Sequence, residues 1–344
     1  MAADESIAIV MLSALGDAVH AMSIANAIRR HRPDARLSWV MQPGLAPFVR
    51  GHPAVDEVIV FDRARGWRGY TELRRTRKGE RFDRVLVLQP YLKSAIVARM
   101  LDARERTGLG RDRARDLAWL LYDRRLPPRP VSHIHTTYAE FLGPLGVPHE
   151  PVTYDVGPWP AERAWQHEFV STLDAPAAAI VVGTSKPQKD WPAERWAEVV
   201  DRLWEEHGLR AVLVGGRSAR EVAAEQIILA RARHRPVSVL GSGLRKLVAI
   251  LDASALVISP DTGPLHLAVA LQRPVVSLIG YSDPRRVGPY RRYEDLVIDA
   301  YHDPGETPGP ITMTHREGRM ARIGVAHVME KVALWAARDR GAVR

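Results

Sequence analysis

The sequence predicts an α/β protein with two Rossmann-like, doubly wound domains in tandem. Short β-branched runs alternate with amphipathic segments of helical period, and the alternation stops at a proline-rich stretch near the middle and then restarts. At 344 residues the chain is also longer than one hydrophobic core usually serves. Continuous apolar strands separated by helices belong to parallel sheets covered on both faces.

The first domain is expected over residues 1–155. It opens with the strand "SIAIVML", the turn "SALGD" and the helical pattern "AVHAMSIANAIRRHRP", which ends in basic residues and a proline, as helices commonly do. "ARLSWVM", "EVIVF" and "RVLVLQ" follow as buried strands. Prolines gather in "PPRPVS" and "PLGVPHEPVTYDVGPWP", which marks the domain boundary. The second domain, residues 156–323, resumes with the strand "AAAIVVG" and the helix "DWPAERWAEVVDRLWEEHG", with Pro192 placed near its first turn. "RAVLVGG", "ALVIS" and "RPVVSLIG" are further strands, with helices "AREVAAEQIILARAR" and "RKLVAILDAS" between them. Residues 324–344 form a closing amphipathic helix, expected to pack back toward the N-terminal domain. Two such domains are expected to face each other across a cleft, with ligand loops at the strand C-termini.

Composition narrows the function. The chain has no cysteine, so it has neither a disulfide framework nor thiolate metal sites. No signal-like N-terminus and no clean apolar run of about 20 residues is present, which predicts a cytoplasmic protein. The net charge is +9, unevenly spread: residues 1–150 hold 24 Lys/Arg against 17 Asp/Glu, the remainder 25 against 23. Much of the excess lies in Arg63–Arg81, with eight basic and two acidic side chains. Such a run is either a solvated surface or a seat for an anionic partner.

Three strand-to-helix junctions of the second domain are unusually polar. In "SPDTGPLHLA" a helix starting near Pro264 would aim the N–H groups around Thr262 and Gly263 at an anion, with Asp261 and His266 beside them. Helix capping by Asp261 or Thr262 fits the same residues. In "VVGTSKPQKDWP", Thr184, Ser185, Lys186 and Lys189 offer two hydroxyls and two ammonium groups, suited to phosphate or to plain solvation. After "VGGRSAR", Glu221 is placed to accept from a ribose diol, or to sit exposed on a helix. Together these predict a nucleotide, although no G-x-G-x-x-G or P-loop is present. In the first domain Asp17 would repel phosphate, and it reads as a general base or as an N-cap. No metal-ligand set is evident.

"LSALGDAVHAMSIANAIRR", "GTSKPQKDWPAERWAEVV" and "SPDTGPLHLAVALQRPVVSLIG" resemble family 9 glycosyltransferases, the ADP-heptose:lipopolysaccharide heptosyltransferases, from about Ile7 to about Val332. Within that family "LQPYLKSAIVARML" and "RARDLAWLLYDRRL" resemble the heptosyltransferase I branch. The resemblance implies a GT-B architecture and metal-free, inverting transfer from an ADP-sugar co-substrate, with no cofactor. It implies Asp17 as general base. Thr184, Ser185, Lys189, Glu221, Asp261, Thr262, Gly263 and His266 fall on donor-binding positions, and Lys93 and Arg115 on acceptor-binding ones. The Arg63–Lys78 region, with Arg63, Arg65 and Arg68, sits where that branch has a basic, mobile acceptor loop. The implied partners are a nucleotide sugar, an anionic Kdo-lipid A type glycolipid and the inner-membrane surface, with peripheral attachment there. Two rivals remain: another nucleotide sugar with a different glycan or protein acceptor, and a nucleic-acid-binding module. The second would need aromatic or groove-reading elements beside the basic run, and none is visible.

Overall fold

The computed structural model describes residues 5–339, which form two compact units. One runs to Pro130 and takes in Ile134–Val156; the other comprises Val131–His133 and the chain from Gly157. Each holds a six-stranded parallel sheet. The first contains β1 (Ser6–Val10), β2 (Arg36–Met41), β3 (Glu57–Val60), β4 (Arg81–Val87), β5 (Asp102–Gly108) and β6 (Arg124–Arg125), in the order β3-β2-β1-β4-β5-β6. Its helices are α1 (Leu15–His31), α2 (Ala46–Val49), α3 (Trp67–Thr76), α4 (Leu92–Met100) and α5 (Ile134–Ala139).

The second sheet contains β7 (Ala177–Val181), β8 (Arg210–Val214), β9 (Val237–Ser238), β10 (Leu256–Pro260), β11 (Val275–Ile279) and β12 (Val297–Asp299), in the order β12-β11-β10-β7-β8-β9. Around it stand α6 (Pro160–Ser171), α7 (Ala193–His207), α8 (Ala219–Arg231), α9 (Leu244–Ala253), α10 (Gly263–Ala270), α11 (Pro284–Val287) and α12 (Val325–Asp339). Read from β9, this is the first sheet's order again. Strand order therefore reverses between β1 and β4 and between β7 and β10, and the loops beyond those strands flank the place where such sheets take their ligands.

Burial explains the apolar runs. Ile7, Ala8, Ile9 and Val10 of β1 have no exposed surface, and neither do Leu256, Val257 and Ile258 of β10, because helices cover both faces. α7 shows the amphipathic alternative, burying Trp196, Val199, Val200 and Leu203 while its charged face meets solvent. Pro192 is its N-cap, next to the first turn as expected; Ala193 begins the helix and Gly208 ends it in a left-handed conformation, at φ 59°. α12 contributes Val328, Met329, Val332 and Trp335 to the core of the second unit, each such burial contributing about 2 kcal/mol.

The basic stretch after β3 differs from its expected form. In place of a loop, Arg63–Arg65 make a 3-10 turn and Trp67–Thr76 the helix α3. Leu73 is buried and anchors it, while Gly69 packs so closely that a Cβ there would lie 2.7 Å from the Asp62 carbonyl oxygen. Asp62 caps the turn by accepting from the Ala64 N–H at 2.9 Å. Among the described residues no helix is long and apolar enough to cross a membrane.

Candidate functional site

In the second unit the exits of β7, β8 and β10 converge. Past β10, Asp261 precedes Thr262, the N-cap of α10, with Gly263 as its first residue; the Thr262 side chain makes no capping bond. Lys189, from the 3-10 turn after β7, donates to the buried Asp261 carboxylate at 2.5 Å and to the Asp261 carbonyl at 3.5 Å. An ammonium and a carboxylate thus sit together at the start of α10, where the helix dipole favours negative charge. His266, one turn along, is buried, and its pKa is pushed down to about 4 by burial, opposed by Asp261 and reinforced by His133 and Lys189. It is a neutral imidazole at physiological pH.

Thr184 serves the loop that carries Lys189. Its N–H donates to Asp190 at 2.9 Å, and its hydroxyl lies 2.8 Å from the same carboxylate oxygen and 2.7 Å from the Lys186 carbonyl. Arg220 of α8 pairs with Asp190 and donates to the Thr184 carbonyl at 3.0 Å. Ser185 is exposed. Lys186 and Lys189 stand 5.4 and 6.0 Å from the centre of the Tyr281 ring, which stacks on His315 at 4.4 Å.

Glu221 is neither a bare exposed residue nor an open acceptor. It closes a capping box with Ser218, accepting from the Gly216 N–H at 2.7 Å, the Ser218 N–H at 2.9 Å and the Ser218 hydroxyl at 2.7 Å. Burial pushes its carboxyl up, but Ser218, Gly216 and the charge of Arg220 hold it below the usual value. Three glycines make room for it. A Cβ at Gly183 would fall 2.3 Å from Glu221 Cγ, and one at Gly215 or Gly216 would fall 2.9 Å from a carboxylate oxygen.

In the first unit Asp17 is the third residue of α1 and not its N-cap. Its Oδ2 accepts from the Ala14 N–H at 3.2 Å and its Oδ1 from the Tyr138 hydroxyl at 2.9 Å. Tyr138 is buried on α5, which packs on α1. One turn away on the same helix pair, His135 meets His20 at 3.3 Å. Beyond β4, Gln89 accepts from the Leu12 N–H at 3.0 Å and bonds the Ser13 carbonyl, fixing the loop ahead of Asp17.

The expected acceptor residues are less tightly gathered. Lys93 and Arg63 are near enough to interact: burial and the Arg63 charge push the Lys93 ammonium below its usual pKa. Arg115 is exposed, but its N–H donates to the Pro90 carbonyl at 2.7 Å, which ties its loop to the start of α4. Arg68 is exposed, whereas Arg65 is ion-paired with Glu72. Among the described residues no group of three or more His, Cys, Asp or Glu is arranged to hold a metal ion.

Sequence reasoning did not find Asp190, Arg220, Tyr281 or Tyr138. Asp190 was visible inside "GTSKPQKDWP" as a short polar residue at a turn. Tyr138 lies 121 residues from the carboxylate it serves, and no local spacing encodes that pairing.

Residues 70–305 match the sequence model of glycosyltransferase family 9 (heptosyltransferase). Over 296 residues the chain is 27% identical to the lipopolysaccharide core heptosyltransferase OpsX of Haemophilus influenzae, covering 86% of this chain and 84% of that protein. Over 298 residues it is 28% identical to lipopolysaccharide heptosyltransferase 1 of Escherichia coli, covering 82% and 90%. The fold is similar to that of a family 9 glycosyl transferase from Veillonella parvula, with a TM-score of 0.80 at 23% identity over 97% of this chain and 98% of that one. It is also similar to E. coli heptosyltransferase WaaC, solved with ADP, with a TM-score of 0.73 at 23% identity over 95% and 99%.

Proposed function

The chain belongs to glycosyltransferase family 9, the heptosyltransferase family, and from that premise we propose that it moves heptose from ADP-heptose to the Kdo-bearing inner core of lipopolysaccharide. The observation that carries this reading is the Lys189–Asp261 pair at the N-terminus of α10, a cation beside helix N–H groups where a diphosphate would sit. Of the relatives named above, OpsX is a lipopolysaccharide core heptosyltransferase and the E. coli protein is lipopolysaccharide heptosyltransferase 1, which supports the acceptor class.

In this reading Asp17 takes the proton of an acceptor hydroxyl as its oxygen attacks the anomeric carbon of the heptose. The bond from that carbon to the diphosphate breaks, ADP departs with the electron pair, and a single displacement inverts the centre. Lys189 exchanges Asp261 for a phosphate, and the N–H groups at the start of α10 share the leaving charge. Asp261, released, accepts from a sugar hydroxyl. Thr262, Gly263 and the neutral His266 line the same position, while Thr184, Ser185 and Glu221 serve the nucleotide side. Charge that a divalent cation would otherwise offset falls to Lys189 and the helix, so no metal enters the scheme.

Arg63, Arg68, Lys93 and Arg115 are assigned to the phosphates and carboxylates of an anionic glycolipid at the cytoplasmic face of the inner membrane, and Arg65 joins them when it leaves Glu72. The test is ADP release from ADP-heptose and from competing nucleotide sugars, with and without a Kdo-lipid acceptor and with and without chelator. Acceptor-dependent release from ADP-heptose that ignores chelator supports the whole reading. Release from another donor alone redirects the substrate, and loss with chelator removes the metal-free step.

A further inference from the structure

Large apolar side chains of the first unit stand in solvent at one end of its sheet. Trp67 is 69% exposed, Leu117 62%, Leu120 52% and Tyr91 36%. All follow strand C-termini: Trp67 opens α3 beyond β3, Tyr91 precedes α4 beyond β4, and Leu117 and Leu120 lie beyond β5. Their loops are joined. The Arg115 N–H reaches the carbonyl of Pro90, next to Tyr91, and Lys93 lies 5.1 Å from the centre of the Tyr91 ring. Lys93 in turn feels Arg63, in the turn that leads to Trp67.

The backbone is strained where it holds the leucines outward. Asp116 and Leu117 adopt φ of 54° and 60°, a left-handed conformation that costs a non-glycine residue about 1 kcal/mol or more. Arg63, Arg68, Arg111 and Arg115 are exposed on the same loops. Of the acids nearby, Glu72 pairs with Arg65 and Asp62 caps a turn, while the exposed counter-charges are Asp112, paired with Arg113, and Asp116.

Indole and phenol rings, leucines and arginines are the set that enters a lipid headgroup region, since the rings and leucines take the apolar boundary and the guanidinium groups the lipid charge. We propose that this end of the first sheet docks on an anionic bilayer surface through Trp67, Leu117 and Leu120, ringed by Arg63, Arg68, Arg111 and Arg115. This deepens the membrane part of the function proposed above and rests on it: the face that takes a lipid-linked acceptor is the face that meets the lipid.

Co-sedimentation of the full chain with phosphatidylcholine vesicles, with and without phosphatidylglycerol, tests the proposal. Wild type should bind the anionic vesicles, bind less as salt rises, and leave neutral ones largely free. Trp67→Ala and the double variant Leu117→Ser/Leu120→Ser should each bind about tenfold more weakly while melting as wild type does; two separate variants guard against one that fails to fold. Wild type that ignores anionic vesicles overturns both the membrane part of the function and this face. Wild-type binding that both variants retain overturns the face alone. Self-association lost in the variants, without vesicle binding, overturns it in favour of a protein partner.

Discussion

Asp17 and Asp261 lie beyond strands that flank the reversal of strand order, one in each sheet, yet their surroundings differ in kind. The Asp17 carboxylate accepts from a peptide N–H and a phenol, both neutral donors. Asp261 is closed on the Lys189 ammonium at 2.5 Å. The N–H and the phenol aim the Asp17 carboxylate. At Asp261 a cation cancels the charge and makes the pair a store of ammonium that an incoming phosphate can claim. In the proposed function the same residue type at the same kind of loop would serve proton transfer in one unit and anion exchange in the other.

The hardest blow to this contrast is Asp17→Asn, which should lower kcat by about a thousandfold while ADP affinity, measured by calorimetry, stays unchanged; near-normal turnover would strip Asp17 of its role. Next comes Lys189→Ala, expected to cost about a hundredfold in kcat/KM and to weaken ADP binding. It should also lower the melting temperature, since Asp261 is left buried without its cation. A variant that loses stability but keeps its ADP affinity would make the pair structural only.

Tyr138→Phe sharpens the first-unit side. Losing the phenol that aims the Asp17 carboxylate should lower kcat about tenfold with donor KM unchanged. A fall in melting temperature with kcat unchanged would mark Tyr138 as packing alone.

A last effect, on stability rather than turnover, concerns the second unit in acid. His133 and His266 both have pKa values lowered from 6.5 to about 4, chiefly by burial. A depressed folded value means that the unfolded chain binds the extra proton first, so stability is full above 6.5 and drains as pH falls toward 4. The loss is on the order of 3 kcal/mol for each histidine at most. Chemical denaturation at pH 7 and pH 5 should show it, and His266→Gln should flatten the dependence.

The two sheets were legible because parallel strands buried on both faces write themselves as unbroken apolar runs such as "SIAIVML" and "ALVIS". The candidate-site residues of the second unit were legible for a related reason: Lys189, Asp261 and Glu221 stand in the loops and helix starts that follow strand ends the pattern locates. Their partners were harder to see. That Lys189 holds Asp261 is a contact across 72 residues, and that Glu221 answers its own helix cap is decided by the glycines packed around it. The basic stretch misled because its charges outnumber its buried groups. Leu73 and Gly69 are enough to seat α3, yet they scarcely mark a composition of eight basic residues.

The seat of Glu221 has a consequence for how this chain can vary. Gly183 and Gly216 lie beyond the ends of two different strands, yet a Cβ at either would crowd the same Glu221 side chain, whereas Gly215 is held to glycine by its φ of 158° as well. Their tolerances are therefore not independent. An alanine at Gly183 should be damaging alone and far milder when Glu221 is shortened in the same molecule, so Gly183, Gly216 and Glu221 should behave as one epistatic unit, while Gly215 stays glycine in either background.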